Sequence, residues 1–347
     1  MSGRAFRWLA SLLARPAPDG GTRLTIVRHH RVYADGERPL YRLGVSAALL
    51  RAQLGMLRRH GLTPVTIREG LGHVAAGRPG WRVAFSFDDG YADNVRVALP
   101  LLAETGARAT FFLTAGLIEE RRAPWWDELA HRLTAAREPR ASLRGIPLDL
   151  AAGAGRARAL RALLPACRVP PAQQRVLLEE LGAALGVASS APCELATWEE
   201  CAALGAAGME VGAHTLTHPF LGTLSAAEQA AEIAGSVDLV ARRLGTRPRG
   251  LAYPGGDHDA ASVEAARGCG LDWAVTTSAG DVRPGSEPHR LPRRGLSEGA
   301  CLGPGGRFSS RLALAELDGA FDALRSRRDP APPGARAPGG AGSEAGA

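Results

Sequence analysis

Val83-Ala84-Phe85-Ser86-Phe87-Asp88-Asp89-Gly90 is the stretch on which the fold turns. Its first five residues make a short apolar run without alternation, the pattern of a strand covered on both faces, and such strands belong to parallel sheets. It stops abruptly at two carboxylates and a glycine. A helical pattern from about Asp93 to Glu104 follows, then a second strand, Ala109 to Leu113. Upstream, Leu24 to Val27 reads as a strand leading into Arg28-His29-His30-Arg31-Val32, and Leu49, Leu50, Leu54 and Leu57 recur at helical spacing before Gly61. Downstream, strands at Met209–Ala213, Gly250–Tyr253 and Trp273–Thr277 alternate with helices at about Ser225–Leu244 and Ala260–Arg267. Roughly seven such units predict an α/β fold, a distorted (β/α)7-type barrel with a parallel sheet. Gly116 to Leu195, rich in Ala, Leu and Arg, reads as a mainly helical insertion and not as a separate domain.

The 347 residues, 45% hydrophobic and 22% charged, suit a folded globular chain with a sizeable core. Three parts are expected: a flexible or amphipathic segment over 1–20, a barrel domain over 21–325, and a disordered tail over 326–347 built almost wholly of Pro, Ala, Gly, Arg and Ser. No apolar run is long enough for a membrane span. The formal charge is +7, yet the chain has no lysine and its 42 basic residues are arginines scattered along the sequence. That reads as compositional bias, without the basic face a nucleic-acid partner needs. Five widely spaced cysteines with no Cys-x-x-Cys pair argue against a disulfide scaffold or a thiolate zinc site and favour a reducing, cytoplasmic location. Arg4 and Arg7 before the short apolar run Trp8 to Ala14 fit peripheral membrane contact better than an export signal. Oligomeric state leaves no trace in the sequence.

Three polar clusters follow predicted strands directly: Asp88-Asp89-Gly90, His214-Thr215-Leu216-Thr217-His218-Pro219, and Tyr253-Pro254-Gly255-Gly256-Asp257. In a parallel barrel all strand C-termini open on one face, so these clusters converge there. His214 and His218, four apart, are expected on one side of a helical turn, as two ligands of one metal, with Asp89 as the third. Side chains alternate along a strand, so Asp88 and Asp89 divide into base and ligand. Taken singly, Asp-Asp-Gly is an ordinary turn and His-x-x-x-His an ordinary surface pair; their joint placement on one sheet argues for chemistry.

The chain resembles the polysaccharide deacetylase family with the NodB-type homology domain. The matching stretches are Phe85–Gly90, His214–Pro219 and Leu251-Ala252-Tyr253-Pro254-Gly255-Gly256, with weaker similarity from about Leu24 to Leu296. The resemblance implies Asp88 as catalytic base, Asp89, His214 and His218 as ligands of a divalent metal, zinc first, and Gly255 and Tyr253 at the oxyanion and substrate position. It implies an acetylated glycan as substrate and hydrolysis of its acetyl amide.

Two departures from the family pattern shape the rest. Many members carry an arginine, which holds the catalytic aspartate, where this chain has Ala252; Arg293 is the substitute expected here, with Arg290 second. The usual C-terminal Leu-x-His acid is missing, and the acid role falls to His30, because His29-His30-Arg31-Val32 resembles a subgroup that begins Tyr-His-Arg-Val. His258 and His289 are expected at the surface. Tyr91, Trp125, Trp126, Tyr253 and Trp273 are candidates to stack on sugars, with core packing as the alternative. The competing functions are a glycoside hydrolase, for which adjacent carboxylates are poorly placed, and a catalytically silent carbohydrate-binding member of the same fold.

Overall fold

The structure, a computed structural model, describes residues 21–322 apart from 38 and 42. The expected N-terminal segment and C-terminal tail fall outside the described residues. Strand β1 (Thr22–His29) runs on into a small parallel pair, β2 (Arg31–Tyr33) with β3 (Gly44–Ser46). Helix α1 (Ala47–Arg59), capped by the Ser46 hydroxyl, and α2 (Ile67–Ala75), opened by a Thr66/Glu69 capping box, lead to β4 (Gly80–Phe87). A π-helical turn over Asn94–Ala98 continues as α3 (Leu99–Ala103) before β5 (Ala109–Leu113).

The insertion then holds α4 (Ala115–Glu119), α5 (Trp125–Ala135), strands β6 (Arg140–Leu143) and β7 (Ile146–Asp149), α6 (Gly153–Leu163) and α7 (Pro171–Leu185). Leu129, Leu133, Leu148, Leu160, Leu177 and Leu181 make its own apolar cluster. The β6–β7 hairpin is absent from the sequence reading. Its two-residue turn is Arg144-Gly145, both at positive φ (49° and 82°), the backbone that tight hairpins demand.

The alternation resumes with α8 (Trp198–Ala206), β8 (Glu210–Ala213), α9 (Ala226–Leu244), β9 (Gly250–Ala252), α10 (Ala260–Gly268), β10 (Trp273–Val275) and β11 (Arg294–Gly295). Seven of the strands form one parallel sheet in the order β10-β9-β8-β5-β4-β1-β11. The sheet curls, and the five residues 291–295 draw its edges together. Leu291 donates to the Ala274 carbonyl and accepts from Thr276 N–H, while Arg294 and Gly295 lie in register with Val27 and Arg28 of β1.

Alternation along the strands separates an outer and an inner layer. Phe85 and Phe87 face outward and share a cluster with Leu50, Leu54 and Leu57 of α1, whereas Ala84 faces inward with Ile26, Phe112 and Trp273. Each such large apolar side chain contributes roughly 1.5–3 kcal/mol through burial. Trp273 fills the barrel floor above Gly250, its partner across the ladder. A Cβ on Gly250 would lie 2.2 Å from the indole, so only glycine admits the ring there.

Candidate active site

All the polar clusters lie at the C-terminal rim of the curled sheet, but the local geometry differs from both backbone expectations. Asp88 and Asp89 come after β4, not on it, and their division has another cause. Asp89 is left-handed (φ 76°), as is Gly90 (φ 82°), so the chain turns between the two carboxylates. Such a conformation costs a non-glycine residue about 1 kcal/mol, and aspartate tolerates it better than most. Likewise His214 and His218 sit on an irregular loop, not a helical turn. Thr215 (φ 60°) and His218 (φ 58°) are both left-handed, and this double reversal brings the two imidazoles to 4.8 Å between centroids.

The loop is held from within and from both sides. The Thr215 hydroxyl donates to the His214 carbonyl (2.6 Å) and accepts from His218 N–H (3.1 Å). The N–H groups of Ala115 and Leu117 donate to the carbonyls of Thr215 and Leu216. On the other side Glu232 of α9 accepts from the N–H groups of Leu216 and Thr217, both at 2.9 Å, and from the Thr217 hydroxyl at 2.6 Å. Nothing in the sequence marked Glu232, because two of its three partners are backbone N–H groups that carry no sequence signature.

Asp89, His214 and His218 each present one ligand atom, all within 4.8 Å of one another. His214 Nε2 is 3.3 Å and His218 Nε2 3.5 Å from Asp89 Oδ1. His214 Nδ1 faces the Ala252 carbonyl at 2.7 Å; a carbonyl only accepts, so Nδ1 carries a hydrogen and Nε2 is the atom turned to Asp89. Burial disfavours the charged ring, but the Asp89 and Asp88 carboxylates outweigh it and raise the His214 pKa. Both Asp89 oxygens are buried with no hydrogen-bond partner among the described residues. Burial pushes the His218 imidazole down to about 3, so it is neutral. A buried carboxylate left unpaired against two ring nitrogens is costly unless a cation joins them. The donor set of one carboxylate and two imidazoles therefore fits a divalent transition metal with an open position.

Asp88 has different partners. Arg293 grips it with a two-pronged ion pair, Nη1 to Oδ1 at 2.6 Å and Nη2 to Oδ2 at 2.7 Å, with the two side chains almost fully buried. The guanidinium is itself fixed, Nη1 donating to Ser86 Oγ (3.1 Å) and Nε to the Thr276 carbonyl (2.9 Å). Burial alone would raise the Asp88 pKa, but Arg293 outweighs it and holds the carboxyl well below the usual range. Ala252, in the place of the family arginine, instead offers its carbonyl to His214.

His30 reaches the same rim, its Nε2 3.9 Å from Asp88 Oδ2 and its side chain 23% exposed. Burial lowers its pKa, although Asp89 and Asp88 pull upward, so the resting imidazole is neutral. Asn94, on the π-helical turn, donates to the His30 carbonyl at 2.7 Å. His29 points outward, buried against Phe85 and Phe87, and is pushed down to about 3 by burial.

Gly255 is left-handed (φ 59°) in the turn after β9, and a Cβ there would lie 3.3 Å from the Phe220 ring. Several aromatic expectations fail. Tyr253 is fully buried, its hydroxyl donating to the His289 carbonyl, and Trp273 belongs to the barrel floor. Tyr91 is fully buried as well and Trp126 nearly so. Trp125 is half-buried against Phe220 and Trp126. Nor are the two other histidines at the surface as expected: His289 is buried, and His258 is half-buried and stacked on Tyr253. Arg290 has no side-chain contact with Asp88 among the described residues.

A buried polar relay, invisible in the sequence, backs the metal loop. The Trp126 indole N–H donates to the Tyr91 hydroxyl (2.7 Å), which donates to Asp127 (2.8 Å), and the Trp126 ring packs edge-on against His218 at 4.4 Å. Burial pushes the Asp127 carboxyl up to about 7, the hydrogen bond from Tyr91 offsetting only part. A raised carboxyl pKa stabilises the fold at low pH, and that contribution is lost as pH rises from about 4, the unfolded value, through 7. Metal-free protein is therefore expected to lose about 2 kcal/mol across that window, discounted for partial exposure. Asp127→Asn should flatten this segment of a stability-versus-pH curve measured by denaturant unfolding; an unchanged slope would place the proton elsewhere.

Against this geometry stand the comparisons. The family model for polysaccharide deacetylase matches residues 76–274, more than half of the chain. The chain belongs to this family. It is accordingly a deacetylase of the hydrolase class acting on acetyl amides, and the glycoside hydrolase reading falls away. No curated protein sequence matches it significantly. Similar solved structures include the deacetylase PplD of Streptococcus pyogenes in complex with acetate, 17% identical, covering 86% of this chain and 99% of that one at a TM-score of 0.57. IcaB from Ammonifex degensii is 21% identical, with 86% and 97% covered and a TM-score of 0.54. The BpsB deacetylase domain of Bordetella bronchiseptica is 16% identical, with 81% and 98% covered and a TM-score of 0.52. At these identities the likeness carries the fold, a curled parallel sheet wrapped in helices.

Proposed function

We propose that the chain removes N-acetyl groups from a poly- or oligosaccharide, with Asp89, His214 and His218 holding a divalent ion, zinc first, Asp88 as general base and His30 as general acid. The observation that carries this reading is the division of labour between neighbouring carboxylates. Among the described residues Asp89 has no hydrogen-bond partner and lies against the ring nitrogens of His214 and His218, whereas Asp88 beside it is clamped in its ionised form by Arg293. A bound ion would supply Lewis acidity to a water and to the acetyl carbonyl.

The protein's own groups move the protons. Asp88 takes one from the attacking water as its oxygen bonds to the carbonyl carbon. The backbone at Gly255 lines the side where the carbonyl oxygen gains charge. As the C–N bond breaks, the leaving nitrogen needs a proton. His30, neutral at rest and 3.9 Å from Asp88, receives the proton Asp88 has gained and passes it on. The half-buried Trp125 beside Phe220 is the aromatic proposed to meet a sugar ring.

The deciding experiment is acetate release from chitin oligomers and other N-acetylated glycans, metal-depleted and with added zinc. Purified protein is expected to hold about one divalent ion per chain by elemental analysis, falling at least tenfold in occupancy in His218→Ala. Full occupancy in that variant would remove the loop from the metal site. For His30→Ala, zinc and fold should persist while amide hydrolysis falls on the order of 100-fold. An activated aryl ester, whose leaving group needs no proton, should lose far less. Equal loss on both substrates would take His30 out of the acid role.

A further inference from the structure

One cation at the rim has no partner among the described residues. Arg28 lies on β1 in register with Ser86 of β4 on one side and Gly295 of β11 on the other. Residues paired in a parallel ladder project to the same face, and Ser86 faces inward, since its hydroxyl receives Arg293. Arg28 therefore points into the barrel mouth, one layer below Asp88. Among the described residues its guanidinium makes no hydrogen bond and no ion pair. The obvious acceptors are committed: both oxygens of Asp88 are held by Arg293, and Asp89 faces the histidines.

Beside Arg28 the wall is cut away. The inward position of β11 is Gly295, which is exposed, and a Cβ built there would meet no atom within 4 Å. A half-buried guanidinium with five free donors thus borders a recess open to solvent at the edge of the catalytic rim. Desolvation and Arg293 both work against its charge, with Asp88 and Asp89 only partly compensating, so the position is electrostatically expensive when empty. The two rim carboxylates and two rim guanidiniums balance, and a divalent ion would leave the loaded mouth positive.

From the unpaired guanidinium and the open recess beside it, we propose that Arg28 and Gly295 form an anion subsite that binds a carboxylate-bearing sugar next to the acetylated residue. This rests on the deacetylase reading and narrows its substrate class to acidic glycans. The chemistry fits: a carboxylate accepts two parallel N–H bonds from a guanidinium, the pairing Arg28 lacks.

The test compares N-acetylchitotetraose with a tetrasaccharide alternating N-acetylglucosamine and glucuronate. Calorimetric binding to the metal-loaded and metal-free protein is measured alongside acetate release. The acidic glycan is expected to bind at least tenfold more tightly at low salt, and its kcat/KM advantage should be of the same size. In Arg28→Gln the ratio between the two glycans should fall towards one, with Arg28→Lys between. Equal affinities in the wild type, or a preference that survives Arg28→Gln, would overturn the proposal. So would an Arg28-dependent affinity for free acetate without any preference between the glycans, which would assign the charge to the released product. Arg28-dependent binding without acetate release would leave the subsite standing and sink the deacetylase reading instead; acetate release from both glycans alike would do the reverse.

Discussion

Asp88→Asn is expected to keep its metal and lose between about 100-fold and 10,000-fold in rate, the range that a positioned general base supplies. Asparagine preserves the shape and can still accept from Arg293, but it cannot take a proton from water. Asp89→Asn should behave in the opposite sense, losing metal first and activity as a consequence, because its orphaned oxygens are the anionic member of the ligand set. Elemental analysis and single-turnover rates on the two variants separate the roles, and the reverse pairing of phenotypes would exchange them. A pH profile adds a second reading. Arg293 holds the Asp88 pKa low, so the base stays ionised through the acid range and the rate should not fall with loss of its charge until well below pH 4. The same sign applies to stability. The ion pair's contribution is present above the unfolded carboxylate value near 4 and is lost as pH falls through the folded one.

Much of this was legible in the sequence because it is local. Buried parallel strands such as Phe85–Phe87 announce themselves as apolar runs, helices such as α9 carry a capping box and a terminal glycine, and strand C-termini share one rim by topology. The convergence of Asp88, Asp89, His214, His218, His30 and Arg293 followed from that rule together with the family resemblance. What stayed hidden depends on backbone conformation or on distant backbone partners. The histidine spacing suggested a helical turn, yet two left-handed residues form a loop, because Glu232 and α4 satisfy its N–H and carbonyl groups better than a helix would. The closing strand β11 is only two residues long and has no apolar run to betray it. The aromatics misled because a large ring beside a motif is as readily a floor or a relay as a sugar platform. Tyr91 is fully buried with its hydroxyl committed to Asp127, and a residue list cannot tell that from exposure.

The largest structural effect is expected at Arg293. Its guanidinium lies inside the barrel with Asp88, in a setting where a paired charge is tolerable and a lone one is not. Arg293→Met should cost about 3–5 kcal/mol of stability, since the remaining carboxylate is buried without either prong of its ion pair and, among the described residues, Arg28, which makes no contact with it, is left as the one nearby positive charge. Asp88 then has one way to lower its energy, which is to bind a proton. Its pKa should rise above the ordinary carboxylate value as burial goes unopposed, and the acid limb of the pH–rate profile should move upward with it. Arg293→Lys keeps the charge but loses the two-pronged fit and the bonds to Ser86 and Thr276, so it should fall between the two in stability. The double variant Asp88→Asn, Arg293→Met makes the argument falsifiable. With both charges gone the penalty for an unpaired carboxylate vanishes, and the double variant should be more stable than Arg293→Met alone, as read by denaturant unfolding. If instead the two losses simply add, the pair is not what holds Asp88 in place. Arg293 would then matter only for packing, and the substitution of a distant arginine for the one missing at Ala252 would have to be abandoned.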